Sequence, residues 1–513
     1  MSNKIVSASL ALLLSWSGTA FAQSEVDALR YTRLGLSGSA RIQGIGGAQA
    51  ALGADISSIF VNPAGLGMFR RSEITVTPGF STANTDAGIA NQGNYSGAPV
   101  SDSRNAFGIP QAGIVFSDRK SDDDGSDWRG TSVGLSITRL NNFNSRTTYR
   151  GNTDDWTMVD YFAEQANNRA TVTNGQTFIK DQLEAEFNNY SSLEGMAYGA
   201  YLIDVYEDEE GEYAAPVDRA VDIAFGEEIL RKGSQNQFDI GVGTSYRDKI
   251  YLGASVGIVS TNYTQVRMYR ESDADPATGF TNMQLRDEFS TRGAGINLRL
   301  GAIYRPVDAL RIGASIQTPT SYSFDESYAT SLVANHSDIS GEQRAVQDPG
   351  QFSYGLTTPL RATGGIAYFL GKLGFISADV EYVNYAGMRF REKDSDFGSS
   401  GSYFSSVNTR IKDTYQSALN LRIGAEARYE IFRFRAGYAL GGDPYKASGL
   451  DGSTNTFTLG TGIRLQNYFV DIAYANTSMN TLYSPYTFNS GASPEINIDD
   501  RLTNVVFTLG FNF

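Results

Sequence analysis

Near its end the chain alternates: Val505, Phe507, Leu509, Phe511 and Phe513 share one parity, while Thr508, Gly510 and Asn512 share the other. In a β-strand successive side chains point to opposite faces, so this segment has one apolar face and one small or polar face. The same pattern recurs upstream. Ala294, Ile296, Leu298, Leu300, Ala302 and Tyr304 oppose Gly295, Asn297, Arg299 and Gly301. Leu419, Leu421, Ile423, Ala425, Ala427 and Tyr429 oppose Asn420, Arg422, Glu426 and Arg428. Phe432, Phe434, Ala436, Tyr438 and Leu440 oppose Arg433 and Arg435, and Ile472 and Tyr474 oppose Asp471. Charges confined to one parity are costly against lipid and tolerable against a wet or internally paired lumen. The expected fold is therefore all-β, an antiparallel transmembrane β-barrel. A soluble β-sandwich would alternate as well, but the number of strands and the aromatics near strand ends favour the barrel.

The N-terminus supports export. Met1-Ser2-Asn3-Lys4 precedes an apolar run from Ile5 to Leu14, and Ala20-Phe21-Ala22 supplies small residues around a cleavage site. These are the parts of a secretory signal peptide, residues 1–22, with cleavage expected after Ala22. The run is too short to span a bilayer as a helix, which needs ~20 residues. With a mean hydropathy of -0.28 and 19% charged residues, the composition does not suit a bundle of membrane helices. It does suit a barrel, in which only alternate residues meet lipid. The expected location is the outer membrane of a Gram-negative bacterium, reached with the help of the barrel-assembly machinery, with outer-membrane lipid and lipopolysaccharide as neighbours. Zero cysteines exclude disulfides and thiolate metal sites, and a net charge of -14 argues against nucleic acid. A monomer is expected.

Strand starts near residues 73, 107, 130, 236, 250, 284, 310, 352, 373, 411, 432, 453, 468 and 501 give a 14-stranded barrel occupying 72–513. Short turns such as Tyr246-Arg247-Asp248-Lys249 and Glu430-Ile431 alternate with long polar loops such as Val333 to Gly350 and Glu392 to Ser406. Short periplasmic turns and long outer loops fix the orientation. Two stretches break the strand pattern. Residues 154–233 show helical spacing in Trp156-Val159-Tyr161-Phe162-Ala163 and Phe178-Leu183-Phe187, and carry the acidic run Glu207 to Glu210. They read as an extracellular, partly helical insertion. Residues 23–71 precede the first strand. Within them Gly44 to Gly67 is rich in small residues, which pack closely, and closes on Asn62-Pro63-Ala64-Gly65-Leu66.

This last stretch resembles the N-terminal hatch of the FadL/TodX family of outer-membrane transporters for long-chain fatty acids and other hydrophobic compounds. The likeness rests on the small-residue run, Asp55 with Ser57 and Ser58, Phe60, and Asn62 to Leu66. It continues in Arg422 to Glu426, Arg433 to Tyr438, Thr458 to Ile463 and Asp471 to Tyr474, and in the terminal Phe513. The family's barrel has fourteen strands, and the insertion at 154–233 is larger than the family leads one to expect. The resemblance implies a plug at 23–71 in which Asp55, Phe60, Asn62, Pro63, Ala64, Gly65 and Leu66 form the gate. It implies passive diffusion of a hydrophobic small molecule, a fatty acid or an aromatic hydrocarbon. Release would be lateral, through a gap made by a kink in the third strand. Here that strand runs from Thr131 to Tyr149 and contains Asn141-Asn142-Phe143-Asn144; asparagine is disfavoured in strands, so the break is expected there.

Lumen charges such as Arg299, Arg422, Glu426, Arg433, Arg435 and Asp471 are expected to form structural ion pairs. A hemin receptor, with Tyr on the iron and Arg on the propionates, and a surface adhesin are the alternative functions. No enzyme and no cofactor are expected. The single histidine, His336, sits in a stretch read as an outer loop and is expected to be solvated. Asp122-Asp123-Asp124-Gly125 lacks the Glu that ends a calcium loop.

Overall fold

The computed structural model describes residues 24–90, 95–121, 124–173, 175–189, 192–275, 277–393 and 403–513. The expected signal peptide and Asp122 and Asp123 lie outside them.

Fourteen antiparallel strands close into a barrel. In chain order they are β1 (Glu73–Ile89), β2 (Val100–Arg119), β3 (Trp128–Asn142, resuming as Ser145–Thr153), β4 (Ile223–Tyr246), β5 (Ile250–Ser272), β6 (Phe280–Val307) and β7 (Leu310–Gln317, resuming as Ser321–His336). There follow β8 (Gly350–Thr357, resuming as Arg361–Phe369), β9 (Gly374–Asn384), β10 (Ser417–Tyr429), β11 (Phe432–Gly441), β12 (Thr454–Arg464), β13 (Tyr468–Tyr483) and β14 (Ile496–Asn512). Closure comes from β1 on β14, in register from Glu73 opposite Asn512 to Ile89 opposite Ile496.

The parity has the expected sense. Leu298, Leu300, Leu421, Phe434, Leu459 and Leu509 are exposed on the outer face, whereas Asn297, Arg299, Glu426, Arg435, Asp471 and Thr508 are buried on the inner one. An apolar belt outside and a polar interior is the reverse of a soluble core, and it makes this a membrane-spanning barrel. The inner charges pair. Arg435 reaches Glu426 at 2.8 Å and Asp471 at 2.7 Å, and Arg464 reaches Asp471 at 3.1 Å. Arg422 meets Glu381 at 3.4 Å, and Arg299 meets Asp239 at 4.0 Å. Arg433 stands apart from this lattice and donates to the carbonyls of Glu430 and Phe432 at the turn.

Several loops differ from expectation. Ser321 to His336, read in part as loop, continues β7, and His336 is buried rather than solvated, 2.9 Å from the Ala200 carbonyl. Before β10 the chain forms a helix, Tyr403–Thr414, where a strand start near 411 was expected. Its buried residues Phe404, Val407 and Ile411 recur every three or four positions, a helical period. The insertion ends earlier than 233, because β4 starts at Ile223. It holds helices Met158–Arg169, Lys180–Asn189 and Leu193–Gly199 and a small four-stranded sheet. Its apolar core packs on Ala87 and Ile498 from one side of the barrel mouth and on Phe280, Leu332 and Ala334 from the other. The insertion therefore lies across the mouth at the long-loop end. Within it, burial pushes the Glu194 carboxyl above its ordinary range although Arg169 stands 3.1 Å away.

Candidate functional site

The chain ahead of β1 is folded inside the barrel. It contains α1 (Glu25–Thr32), α2 (Ala40–Gln43) and two 3-10 turns, Ile56–Phe60 and Pro63–Met68. Local chemistry explains the two turns. The Asp55 side chain accepts from the Ser57 N–H at 3.0 Å and from the Ser39 hydroxyl at 2.9 Å. The Asn62 carbonyl oxygen accepts from the Ala64 N–H at 3.2 Å, and Pro63 takes the first helical position, where no N–H is needed. The Asn62 amide then donates to Ala50 at 2.6 Å and to Ala302 of β6 at 3.2 Å, which ties the turn to the wall. The wall makes room for it: a Cβ on Gly301 would strike Asn62, and one on Gly253 would strike Pro63. Ala64, Gly65 and Leu66 are buried beneath, and Phe60 is half-buried. Three strands further round the wall, on β9, the Asp379 carboxylate accepts the N–H groups of Gln49 and Ala50 at 2.7 and 2.8 Å.

The third strand breaks at Phe143 and Asn144. Below it β3 pairs with β2 from Arg119 opposite Gly130 to Gln111 opposite Thr138, so the pairing ends before the break itself. Above Gln111 the pairing stops. Pro110 is the next residue of β2 and has no N–H to offer. The outer half of β3 keeps its backbone bonds to β4, from Ser145 opposite Arg231 to Thr153 opposite Ile223, but has no backbone pairing with β2, which it meets through the Arg146 side chain 3.5 Å from Asp102. It bends inward, and the Thr85 hydroxyl on the lumen face of β1 donates to Arg146 at 2.6 Å. A window in the backbone ladder results. It runs from the Gln111–Thr138 pair up to Tyr95–Ser96, which pairs with Thr153 and Asn152.

The groups freed by the break are satisfied by the N-terminal segment. The Gly35 N–H is shared by the Leu140 carbonyl at 3.1 Å and the Asn141 side chain at 2.9 Å, and the Asn141 amide donates to Arg33 at 2.7 Å. The Ser37 hydroxyl donates to Arg139 at 2.7 Å. Asn142 donates to Ser81 at 2.7 Å and accepts from the Asn144 amide at 2.6 Å. Phe143 turns inward, edge-on to Tyr31 of α1 and to Tyr263, with ring centroids at 6.3 and 5.3 Å.

Beside the break is a cavity of about 720 Å³, lying between α1 and the Ile56–Phe60 turn. Leu29, Phe60, Leu140, Asn141 and Phe143 line it, and so do Pro110 and the outward-facing Phe80, so it reaches the wall at the window. The structure thus brings Phe60 and Asn141 to Asn144 to one cavity, while Asp55 and Asn62 to Leu66 lie in the packed part of the segment. Asp379, Tyr31 and Arg139 escaped sequence reasoning. The two carboxylates on the inner parity of β9, Asp379 and Glu381, were the available signal for Asp379.

Comparison with solved structures finds the same fold. A FadL homologue from Pseudomonas aeruginosa superposes with a TM-score of 0.56 at 12% identity, covering 94% of this chain and 99% of that one. The toluene transporter TodX of P. putida gives 0.50 at 14% identity, covering 93% and 99%. The chain has their fold. No family model and no curated protein matches the sequence. The shared fold spans nearly the whole chain.

Proposed function

We propose that the protein is an outer-membrane transporter of hydrophobic small molecules, of the FadL/TodX kind, which lets its ligand diffuse through the lumen and leave sideways through the barrel wall. The observation that carries this reading is the window between β2 and the outer half of β3, opening beside a cavity in the barrel lumen. The polar filling of the lumen below the cavity makes a continuous greasy path to the periplasmic end unfavourable, whereas a side exit delivers an apolar molecule into lipid. Residues 24–71 act as the hatch. Their bonds to Leu140 and Asn141 connect any shift of the hatch to the break in β3, so that ligand entry displaces α1 and widens the window. The insertion across the mouth forms the outer capture surface, and residues 1–22 direct export.

The test is uptake by cells with and without the gene of three labelled compounds: a long-chain fatty acid, toluene and hemin. Gene-dependent uptake of the fatty acid or of toluene is expected. Uptake of hemin alone would establish the hemin-receptor alternative, and no difference for any compound would refute transport.

A further inference from the structure

The window contains a cation that no carboxylate among the described residues pairs with. Arg139 is the first residue of β3 above the last β2 pair and shares the outward parity of the exposed Val133 and Ile137. Its guanidinium crosses to the inner side of β2, where a methyl group on Gly108 would meet it at 2.5 to 2.9 Å. Its Nε is buried without a hydrogen-bond partner, and no carboxylate pairs with it among the described residues. A partly buried guanidinium with neither an ion pair nor full hydrogen bonding is expensive, and inside a membrane it marks a site of function more often than of structure. The surroundings point the same way. The cavity lining carries eight arginines and no lysine against three carboxylates, Glu381, Asp451 and Asp500, in a chain whose net charge is -14. Of these carboxylates, Glu381 is already taken by Arg361 at 3.0 Å and Arg422 at 3.4 Å. Asn142, Asn144 and Ser81 add polar side chains to the same lining.

Building on the transport reading above, we infer that Arg139 is the selectivity residue of the lateral window and holds the anionic head of an amphiphile whose tail leads into the lipid. The planar fork of a guanidinium binds a carboxylate or phosphate through two parallel hydrogen bonds. Placed in the opening itself, it acts on the ligand at the moment of exit. Neutral hydrocarbons gain nothing from it and must push it aside. A carboxylate from a free fatty acid and a phosphate from a membrane-derived lysolipid satisfy the same geometry.

Uptake of labelled hexadecanoate, hexadecanol and hexadecanoyl lysophosphatidate is measured below saturation in cells displaying equal amounts of wild-type, Arg139→Gln and Arg139→Lys protein. Loss of one charge-assisted contact should lower hexadecanoate uptake roughly tenfold in Arg139→Gln and leave hexadecanol within about twofold. Arg139→Lys keeps the charge and should fall between, and it alone carries the comparison if the Gln variant does not insert. Lysophosphatidate uptake that follows hexadecanoate assigns the site to anionic heads in general; uptake independent of Arg139 restricts it to free carboxylates. Equal effects on hexadecanoate and hexadecanol, or none on hexadecanoate, overturn the role of Arg139 while transport stands. A wild-type protein that moves none of the three overturns the transport reading and this inference with it.

Discussion

Two regions of the wall contain broken strands, and only one of them opens. In β7 and β8 the breaks fall at the same level, at Thr318-Pro319-Thr320 and at Thr358-Pro359-Leu360. Pairing runs from Leu310 opposite Tyr368 to Gln317 opposite Arg361, and resumes at once with Ser321 opposite Thr357. Threonine hydroxyls patch the step: Thr318 accepts from the Leu298 N–H at 3.0 Å, and Thr358 accepts from the Thr320 N–H at 2.9 Å. Matched breaks bend the wall and leave it closed. At the window β3 breaks alone while β2 runs on, so the two strands part, and the freed groups turn to the hatch instead of to a neighbouring strand. An opening is thus made by a mismatch between neighbours, and proline alone does not make one.

The largest effect should come from removing the mismatch. Deleting Phe143 and Asn144 together preserves parity, and Pro110→Thr restores an N–H on β2. Cells carrying both changes should take up hydrophobic ligand no faster than cells lacking the protein, with the barrel still heat-modifiable on gels. Next is Asn141→Leu, which cuts the bonds to Arg33 and Gly35. If the hatch and the break are coupled, uptake should fall by about fivefold or more at equal surface expression, the scale of an ordinary coupling free energy. Pro63→Ala should leave the barrel intact and change uptake by about two- to threefold, because the turn loses its preset φ. Wild-type uptake would count against a gating role for that turn. The smallest functional effect belongs to the closed region. Thr318→Val with Thr358→Val should leave uptake unchanged and cost about 1 kcal/mol per lost hydrogen bond in urea unfolding from lipid.

Parity made the barrel, its inside and its fourteen strands legible in the sequence, because period-two alternation follows directly from strand geometry. The Asn141 to Asn144 run was visible as a departure from that alternation. What it lacked was a partner, since nothing in β3 itself says that β2, bulged at Ile109 and Pro110, continues past it as a strand. The matched Thr-Pro steps in β7 and β8 were missed for the same reason: register between strands far apart in sequence decides their meaning. His336 looked like a loop residue because its cover, Ala200 and Tyr201 of the insertion, lies over a hundred positions away. Arg139 sat on the lipid parity of a strand and gave no sign that the strand bends inward just beyond it.

The exit of ligand between β2 and the outer half of β3 is tested most directly by fastening the inward-bent segment in place. The chain has no cysteine, so a Ser81→Cys/Asn142→Cys pair, replacing side chains 2.7 Å apart, forms the only available disulfide. Uptake of labelled ligand is compared with the pair oxidised and after reduction in the same cells. Transport through the window predicts that oxidation blocks uptake and reduction restores it to the level of the unlinked protein. Equal uptake in both states, with the disulfide verified as formed, would contradict it.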